Sequence, residues 1–139
     1  MESITVETSL NVPVHQVWES WTNPKHIKQW NFPSSEWKCS QVTQQLEPGG
    51  EFSFKIEAKD KSKNVQVDGV YEIIIPKDEI VYLLEDGSKV SILFTEEGEE
   101  TFVTKTFDAD EDESTLDKLE EFHQAILDNF KIHTEAYFK

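Results

Sequence analysis

His123 is the residue best placed for acid–base chemistry. It recurs with apolar residues at helical spacing near the end of the chain, whereas His15 and His26 lie on short predicted helices. An imidazole titrates near neutral pH, so His123 could donate a proton inside a cavity. The alternative is a histidine at the edge of the core that hydrogen-bonds a strand residue. His15 and His26 have no carboxylate partner nearby in sequence, and we expect both to be exposed.

Acidic residues before the last predicted helix raise the question of a calcium site. Asp108, Asp110 and Asp112 alternate as they do at the start of an EF-hand loop. Such a loop has Gly at its sixth position and Glu at its twelfth, whereas this chain has Glu113 and Leu119 there. The pattern favours a solvated entry to a helix, stabilised by the helix dipole. No His/Cys cluster has metal-ligand spacing either, so the sequence predicts no metal and no cofactor.

Nucleophilic catalysis finds little support in the sequence. The single cysteine, Cys39, lacks the neighbouring pattern of an activated nucleophile and cannot form an internal disulfide. No Gly-x-Ser-x-Gly elbow and no phosphate-binding loop is present. The paired carboxylates of residues 96–97 and 99–100 fall at a polar hairpin tip, where we expect them to be solvated. No catalytic residue is assigned.

Aromatic side chains are the most informative functional feature. Any one of them could simply fill the core, but as a group they could line a pocket, which is typically apolar with a few polar anchors. Tyr71, Tyr82 and His123 would be the anchors, because a buried hydroxyl or imidazole needs a partner. The candidate cavity-lining residues are Trp30, Trp37, Phe52, Phe54, Tyr71, Tyr82, Phe94, Phe107, Phe122, His123, Ile126 and Phe130.

The composition excludes several classes of partner. The chain has 139 residues, with 13 Lys+Arg against 28 Asp+Glu and a net charge of −15, and every basic residue is Lys. Nucleic acid would be repelled, and the planar fork with which Arg grips phosphates is missing. No apolar run approaches the ~20 residues that span a bilayer, so we expect no membrane insertion. We expect one domain over residues 1–139 in a cytoplasmic protein. We also expect a monomer, because the net negative charge makes the chains repel one another.

The spacing of apolar residues along the chain changes between the period of strands and that of helices. Ile4 to Leu10 alternate with polar residues, as in a half-buried strand. Pro13 suits the first turn of a helix, and Asn23 is a plausible N-cap for a second short helix. Residues 31–39 have loop composition. Six further strands are predicted near residues 41–46, 51–58, 65–75, 80–84, 90–94 and 101–107.

The last segment is a long amphipathic helix. Ser114, followed by Asp117, resembles a capping box, and apolar residues then recur at helical spacing. A sheet with one apolar face needs a cover, and this helix is the only predicted element long and apolar enough. The sequence therefore predicts an α+β fold: a curved antiparallel sheet of about 6–7 strands, two short helices after the first strand, and a long C-terminal helix across the sheet.

Several short motifs occur in an order that resembles a known family. They are Pro13 with Val17-Trp18, Asn23-Pro24 leading to Trp30, Pro48-Gly49-Gly50 before Phe52, Gly69 to Ile73 before a proline turn, Phe107-Asp108, and Gln124 to Lys131. Together they resemble the START-like "helix-grip" superfamily, also called SRPBCC or Bet v-like. Within it the chain is most similar to bacterial homologues of the heat-shock protein 90 ATPase activator domain.

The resemblance implies an apolar cavity between the sheet and the long helix. Relatives in the superfamily bind lipids, sterols or polyketides, and a few catalyse cyclisation or hydrolysis. One departure concerns the last helix, where homologues often carry Gly-Trp and this chain has Phe122-His123. The Phe122 ring adds bulk at this position, which leaves two alternatives. The cavity is either open or filled by this ring.

Three functions are therefore carried forward. The first is a non-catalytic binding domain for a small hydrophobic or amphipathic ligand. The second is a chaperone-regulating interaction domain, which the family resemblance alone implies. The third is a cyclase- or hydrolase-like enzyme that uses His123 and a tyrosine.

Overall fold

One antiparallel sheet and three helices make up the part of the chain that the structure describes. The structure is a computed structural model that describes residues 2–109 and 111–138. The elements are β1 (Glu2–Leu10), α1 (Val14–Thr22), α2 (Pro24–Trp30), β2 (Trp37–Gln44), β3 (Glu51–Ala58), β4 (Asn64–Ile75), β5 (Glu79–Leu84), β6 (Lys89–Glu97), β7 (Glu100–Ala109) and α3 (Glu113–Tyr137). The predicted α+β helix-grip architecture is confirmed. None of these helices is long and apolar enough to cross a membrane.

The first strand closes the sheet against the last. The strand order is β1-β7-β6-β5-β4-β3-β2, and every neighbouring pair is antiparallel. Strands β2 to β7 follow each other through turns, whereas α1 and α2 carry the chain from one edge of the sheet to the other. Helix α3 packs on the inner face against β1 and α2.

Two bulges interrupt the regular pairing of the sheet. One lies between Cys39 and Gln41 on β2, and the other lies between Tyr71 and Ile73 on β4. The extra residue Glu72 shifts the alternation of β4, so Ile73 is exposed while Ile74 packs against the core. Because a bulge bends its strand and increases the local twist, the two bulges help the sheet to curl around α3.

Aromatic rings and hydrogen bonds join the three helices at one end of the sheet. The ring centroid of Trp21 lies 4.8 Å from that of Trp30 and 4.9 Å from that of Phe130. Ser20 Oγ and Thr134 Oγ1 are 2.7 Å apart, and both side chains are buried. Since aromatic pairs at these separations add to the free energy of burial, this cluster fixes α1 and α2 against α3.

The helix starts agree only partly with the sequence. Asn23 caps α2 as predicted, and its side-chain oxygen accepts a hydrogen bond from the Lys25 amide at 3.0 Å. The predicted Ser114 cap of α3 is wrong. Asp112 caps that helix instead, with its Oδ1 accepting from the Thr115 amide at 2.8 Å. A carboxylate accepts an amide hydrogen bond more strongly than a hydroxyl, and its charge also favours the positive helix end.

Two further expectations are corrected. Trp37 and Cys39 were placed in a loop, but they belong to β2, because the pairing with β3 extends to Trp37 opposite Ala58. His26 was expected to be exposed, but it is buried, with its Nδ1 3.0 Å from Nε2 of His133. Sequence spacing on α2 alone could not indicate that α3 covers this side chain.

Gly69 permits a close approach between a side chain and the backbone within the sheet. A Cβ atom at this position would lie 2.7 Å from Phe52 Cζ and 2.5 Å from the carbonyl oxygen of Leu83. The Phe52 ring thus rests on the backbone of β4, where any larger residue would displace it. From there it packs at 4.9 Å against both Tyr71 and Tyr82.

We expect Gly69→Ala to destabilise the protein by about 1–3 kcal/mol, because the added methyl group overpacks the contact with Phe52. Urea unfolding followed by circular dichroism measures this change. Val70→Thr is the matched control, since Val70 is 40% exposed on the opposite face and the replacement keeps the β-branched shape. Equal stability of the Gly69→Ala variant and the parent protein would contradict the close contact.

Candidate functional site

A cavity of about 740 Å³ lies between the inner face of the sheet and α3. Its walls come from β2 to β7, from the inner face of α3 and from the α1–α2 segment. Most of the wall is apolar, which suits a small molecule with a large hydrophobic body. Helix α3 makes its close backbone contacts with β1 and α2, so the space above the central strands remains open.

Eight of the candidate residues line this cavity. They are Trp30, Phe54, Tyr71, Tyr82, Phe107, Phe122, His123 and Ile126. Phe122 is half-buried and forms part of the wall, so its ring leaves the cavity open. The Phe122-His123 pair raised two alternatives, an open cavity and a filled one. The structure agrees with the open cavity.

The other four candidates lie elsewhere. Phe94 packs under α1, with its ring centroid 5.3 Å from Trp18 and 5.9 Å from Trp21. Phe130 packs between Trp21 and Trp30, and Phe52 covers Gly69. Trp37 begins β2 and is half-buried outside the main core cluster. Phe52, Phe94 and Phe130 have the right periodicity, but helices or neighbouring rings already cover them.

Tyr71 is a polar anchor of the cavity wall. Its hydroxyl donates to Gln44 Oε1 at 2.9 Å, and the amide nitrogen of Gln44 donates to the carbonyl oxygen of Thr22. This chain of hydrogen bonds joins β4 to β2 and to the end of α1. Burial raises the pKa of both Tyr71 and Tyr82, so both phenols stay neutral at physiological pH.

A lysine and a histidine form the second polar feature of the cavity. Lys105 on β7 is 9% exposed, and its Nζ donates to Nδ1 of His123 at 2.9 Å. Burial lowers the pKa of Lys105 to about 8. Burial and the neighbouring lysine together lower the pKa of His123 well below its usual range. His123 is thus a neutral acceptor that is hydrogen-bonded to a strand residue, as the simpler of the two sequence interpretations expected.

Sequence reasoning missed Lys105, although the period-two pattern of β7 contains a signal for it. Thr101, Val103, Lys105 and Phe107 alternate along one face, and all four are buried. A lysine at an inward position of such a strand breaks the apolar pattern. Charged residues are rarely buried without a partner, so this break points to a functional position.

The exposed lining residues cluster at one end of the cavity. Asp86 lies in the β5–β6 turn and Lys89 begins β6, whereas Asp108 and Glu111 border the bridge to α3. Asp108 is half-buried and accepts a hydrogen bond from Ser3 Oγ at 2.8 Å. This end, which we call the acidic rim, is where the cavity meets solvent.

Two of the three aspartates in residues 108–112 have structural roles. Asp108 bonds Ser3 and Asp112 caps α3, whereas Asp110 lies outside the described residues. Within residues 2–109 and 111–138, no group of three His, Cys, Asp or Glu side chains converges as a metal site would require.

Cys39 should react slowly with thiol reagents, because burial raises its pKa to about 11 and the thiolate is the reactive form. Iodoacetamide labelling of the folded protein, followed by mass spectrometry, measures the rate. We expect little labelling at pH 8 and a rate that rises up to pH 11. The urea-unfolded chain is the control and should label rapidly. Rapid labelling of the folded protein at pH 8 would contradict the burial.

We expect Lys105→Met to be as stable as the parent protein at pH 7, or more stable, because it removes a buried charge without an ionic partner. The lowered pKa means that the folded state binds fewer protons than the unfolded state between pH 8 and 10.5. Parent stability should therefore rise relative to Lys105→Met across that window. Urea unfolding at pH 7 and pH 10 measures both effects, with exposed Lys89→Met as the control. A large loss of stability in Lys105→Met would show that the lysine is structural.

Comparison with known proteins agrees with this architecture. A solution structure of an AHSA1-like protein from Aeromonas hydrophila is 30% identical, with a TM-score of 0.86 over 98% of this chain and 94% of that one. A protein from Cytophaga hutchinsonii is 36% identical, with a TM-score of 0.80 over 97% of this chain and 93% of that one. A protein from Nitrosomonas europaea, 17% identical with a TM-score of 0.81 over 97% and 95%, shares the fold.

The family comparison agrees with the resemblance that the motifs suggested. Curated proteins gave no match. The model of one family matches residues 11–135, which span all the elements that line the cavity except the last residues of α3. The chain therefore belongs to the AHSA1 family, described as activator of Hsp90 ATPase homolog 1-like protein.

Proposed function

We propose that this protein binds a small apolar or amphipathic molecule in the cavity between the sheet and α3. The observation that carries the proposal is a cavity of about 740 Å³ with a mostly apolar wall. That volume falls in the ~300–1,000 Å³ range of small-molecule sites. A cavity of this kind costs the fold packing energy, which binding of an apolar molecule would recover.

His123 and the two tyrosines of the cavity do not suit the acid–base role that the cyclase- or hydrolase-like alternative gives them. His123 accepts a hydrogen bond at Nδ1 and its pKa is lowered, so it is a poor proton donor near neutral pH. Both tyrosines that line the cavity have raised pKa values, which keeps their hydroxyls protonated. The cyclase- or hydrolase-like alternative needs a donor or base poised near the working pH, and neither His123 nor the tyrosines fit that need.

The chaperone-regulating alternative rests only on the description of the family, which names an Hsp90 ATPase activator. The cavity on the inner side of the sheet supports binding of a small molecule instead. Binding of a small molecule is therefore the function that the geometry favours.

Tryptophan emission offers a direct test. Trp21 and Trp30 both line the cavity, so an occupant would change their surroundings. We expect decan-1-ol or decanoate to shift the emission saturably with one molecule bound per chain. Titration of the folded protein with each compound measures this. If neither compound, nor a panel of sterols and aromatic compounds, causes a saturable shift, the proposed function is wrong.

A cavity-filling variant locates the binding site. Leu84 lines the cavity, and in Leu84→Trp the larger ring would occupy part of it, so we expect decan-1-ol to bind at least tenfold more weakly. Leu93→Trp is the matched control, because Leu93 is 42% exposed on the outer face. Calorimetry measures both affinities, and thermal unfolding verifies that both variants fold. Equal affinities in the two variants would place binding outside the cavity.

A further inference from the structure

The Lys105 ammonium group has more hydrogen-bond capacity than the protein around it uses. An ammonium carries three N–H donors, and one of them reaches His123 Nδ1 at 2.9 Å. Among the described residues, the only ion pair joins Lys89 to Glu72 on the surface, at 3.4 Å. Lys105 therefore has a neutral acceptor and no carboxylate within ion-pair distance in that part of the chain.

A buried ammonium without a counter-charge is costly. In an apolar environment a charge is tolerated when it is paired or well hydrogen-bonded. Burial is also the one identified cause that lowers the pKa of Lys105, which agrees with the missing counter-charge. The cavity thus holds a cation whose partner the described chain does not supply.

We infer that the molecule bound in this cavity is an amphipathic monocarboxylate, with its carboxylate on Lys105 and its apolar body along the aromatic wall. The inference rests on the proposed function and names its ligand class. A carboxylate would supply the missing counter-charge and accept the N–H donors that His123 leaves unused. Charge-assisted hydrogen bonds of this kind are short and about twice as strong as neutral ones.

One lysine selects for a single negative charge. The chain contains no Arg, so the bidentate grip that phosphate sites commonly use is absent. The acidic rim carries Asp86, Asp108 and Glu111 against one cation, Lys89. This excess of negative charge disfavours a dianion more than a monoanion. A monocarboxylate fits both conditions better than a phosphate monoester.

His123 acts as a positioning residue in this arrangement. Its ring centroid lies 4.3 Å from that of Phe107 and 5.4 Å from that of Phe122, which limits how the imidazole can turn. By accepting one N–H of Lys105, it fixes the direction of the ammonium group. The remaining donors then face a defined part of the cavity.

The titratable groups around the cavity allow a pH test. Those that line it, besides Lys105 and His123, are Tyr71, Tyr82, Asp86, Lys89, Asp108 and Glu111. The tyrosines stay neutral because their pKa values are raised, and His123 stays neutral because its pKa is lowered. The rim residues other than half-buried Asp108 are exposed, so water and salt screen them. Lys105, whose pKa is about 8, is therefore the group that would change charge above neutral pH.

Decanoate and decan-1-ol form a matched pair of probes, because they differ in the head group and share the chain length. We expect calorimetry at pH 7 to give decanoate the higher affinity. In Lys105→Met, decanoate should bind about 10-fold to 100-fold more weakly, the loss of one charge-assisted hydrogen bond, while decan-1-ol keeps its affinity. Lys89→Met, which removes the rim cation, should leave both affinities within about twofold.

The pH profile is the second readout. Decanoate affinity should be constant from pH 6 to 7.5 and fall above pH 8, as the free protein loses the Lys105 proton. The profile should be flat in Lys105→Met. His123→Gln, which changes the acceptor beside the ammonium, should shift the midpoint of the fall without removing the preference for decanoate.

The outcomes separate the two proposals. If decan-1-ol binds in the cavity and decanoate binds no better, the carboxylate assignment is overturned while the proposed function stands. Tighter binding of decyl phosphate than of decanoate would also overturn the assignment. Equal loss of decanoate affinity in Lys105→Met and Lys89→Met would place the anion at the rim and overturn it. If none of the three compounds binds, and the wider panel used for the emission test does not either, both proposals fail.

Discussion

The way a single helix covers the sheet determines the rest of this structure. Helix α3 approaches β1 and α2 closely, and its Thr134 is joined to Ser20 of α1 by a buried hydrogen bond. It does not approach the central strands as closely, so their inner faces need another cover. At one end, Trp21 of α1 and Trp30 of α2 supply that cover and pack against Phe130 of α3. Over β3 to β6 the space stays open, and it becomes the cavity.

The same geometry explains why the cavity keeps a polar side. Strand β7 lies directly beside β1, so its inward residues face the part of α3 that carries His123. An apolar residue at position 105 would complete the period-two face of β7 and pack as its neighbours do. Lys105 instead introduces a charge at a buried position in the cavity wall. A fold tolerates such a cost where the residue has a use beyond packing.

The overall architecture could be predicted from the sequence because it depends on periodicity and turn chemistry. The alternation of β3 and β7, the Asn23 cap and the apolar stripe of α3 are local signals, and each of them is confirmed. The bulge at Glu72 was not predictable, because register depends on the partner strand. Nor was the cover over Phe94 and Phe130, since it is set by the docking of α1 and α2. Eight of the twelve candidate residues line the cavity, while its buried lysine was missed by a search for aromatic residues and histidines.

The bulge on β2 affects how this edge of the sheet can pair with a second chain. Strand β2 is an edge strand, and edge strands present unpaired amides and carbonyls that can recruit a second chain. Ser40 is the extra residue of that bulge, and its hydroxyl turns to the carbonyl oxygen of Lys55 at 3.4 Å. The irregular spacing offers an incoming strand no continuous ladder to extend. The bulge therefore hinders edge-to-edge pairing of β2 with a second sheet.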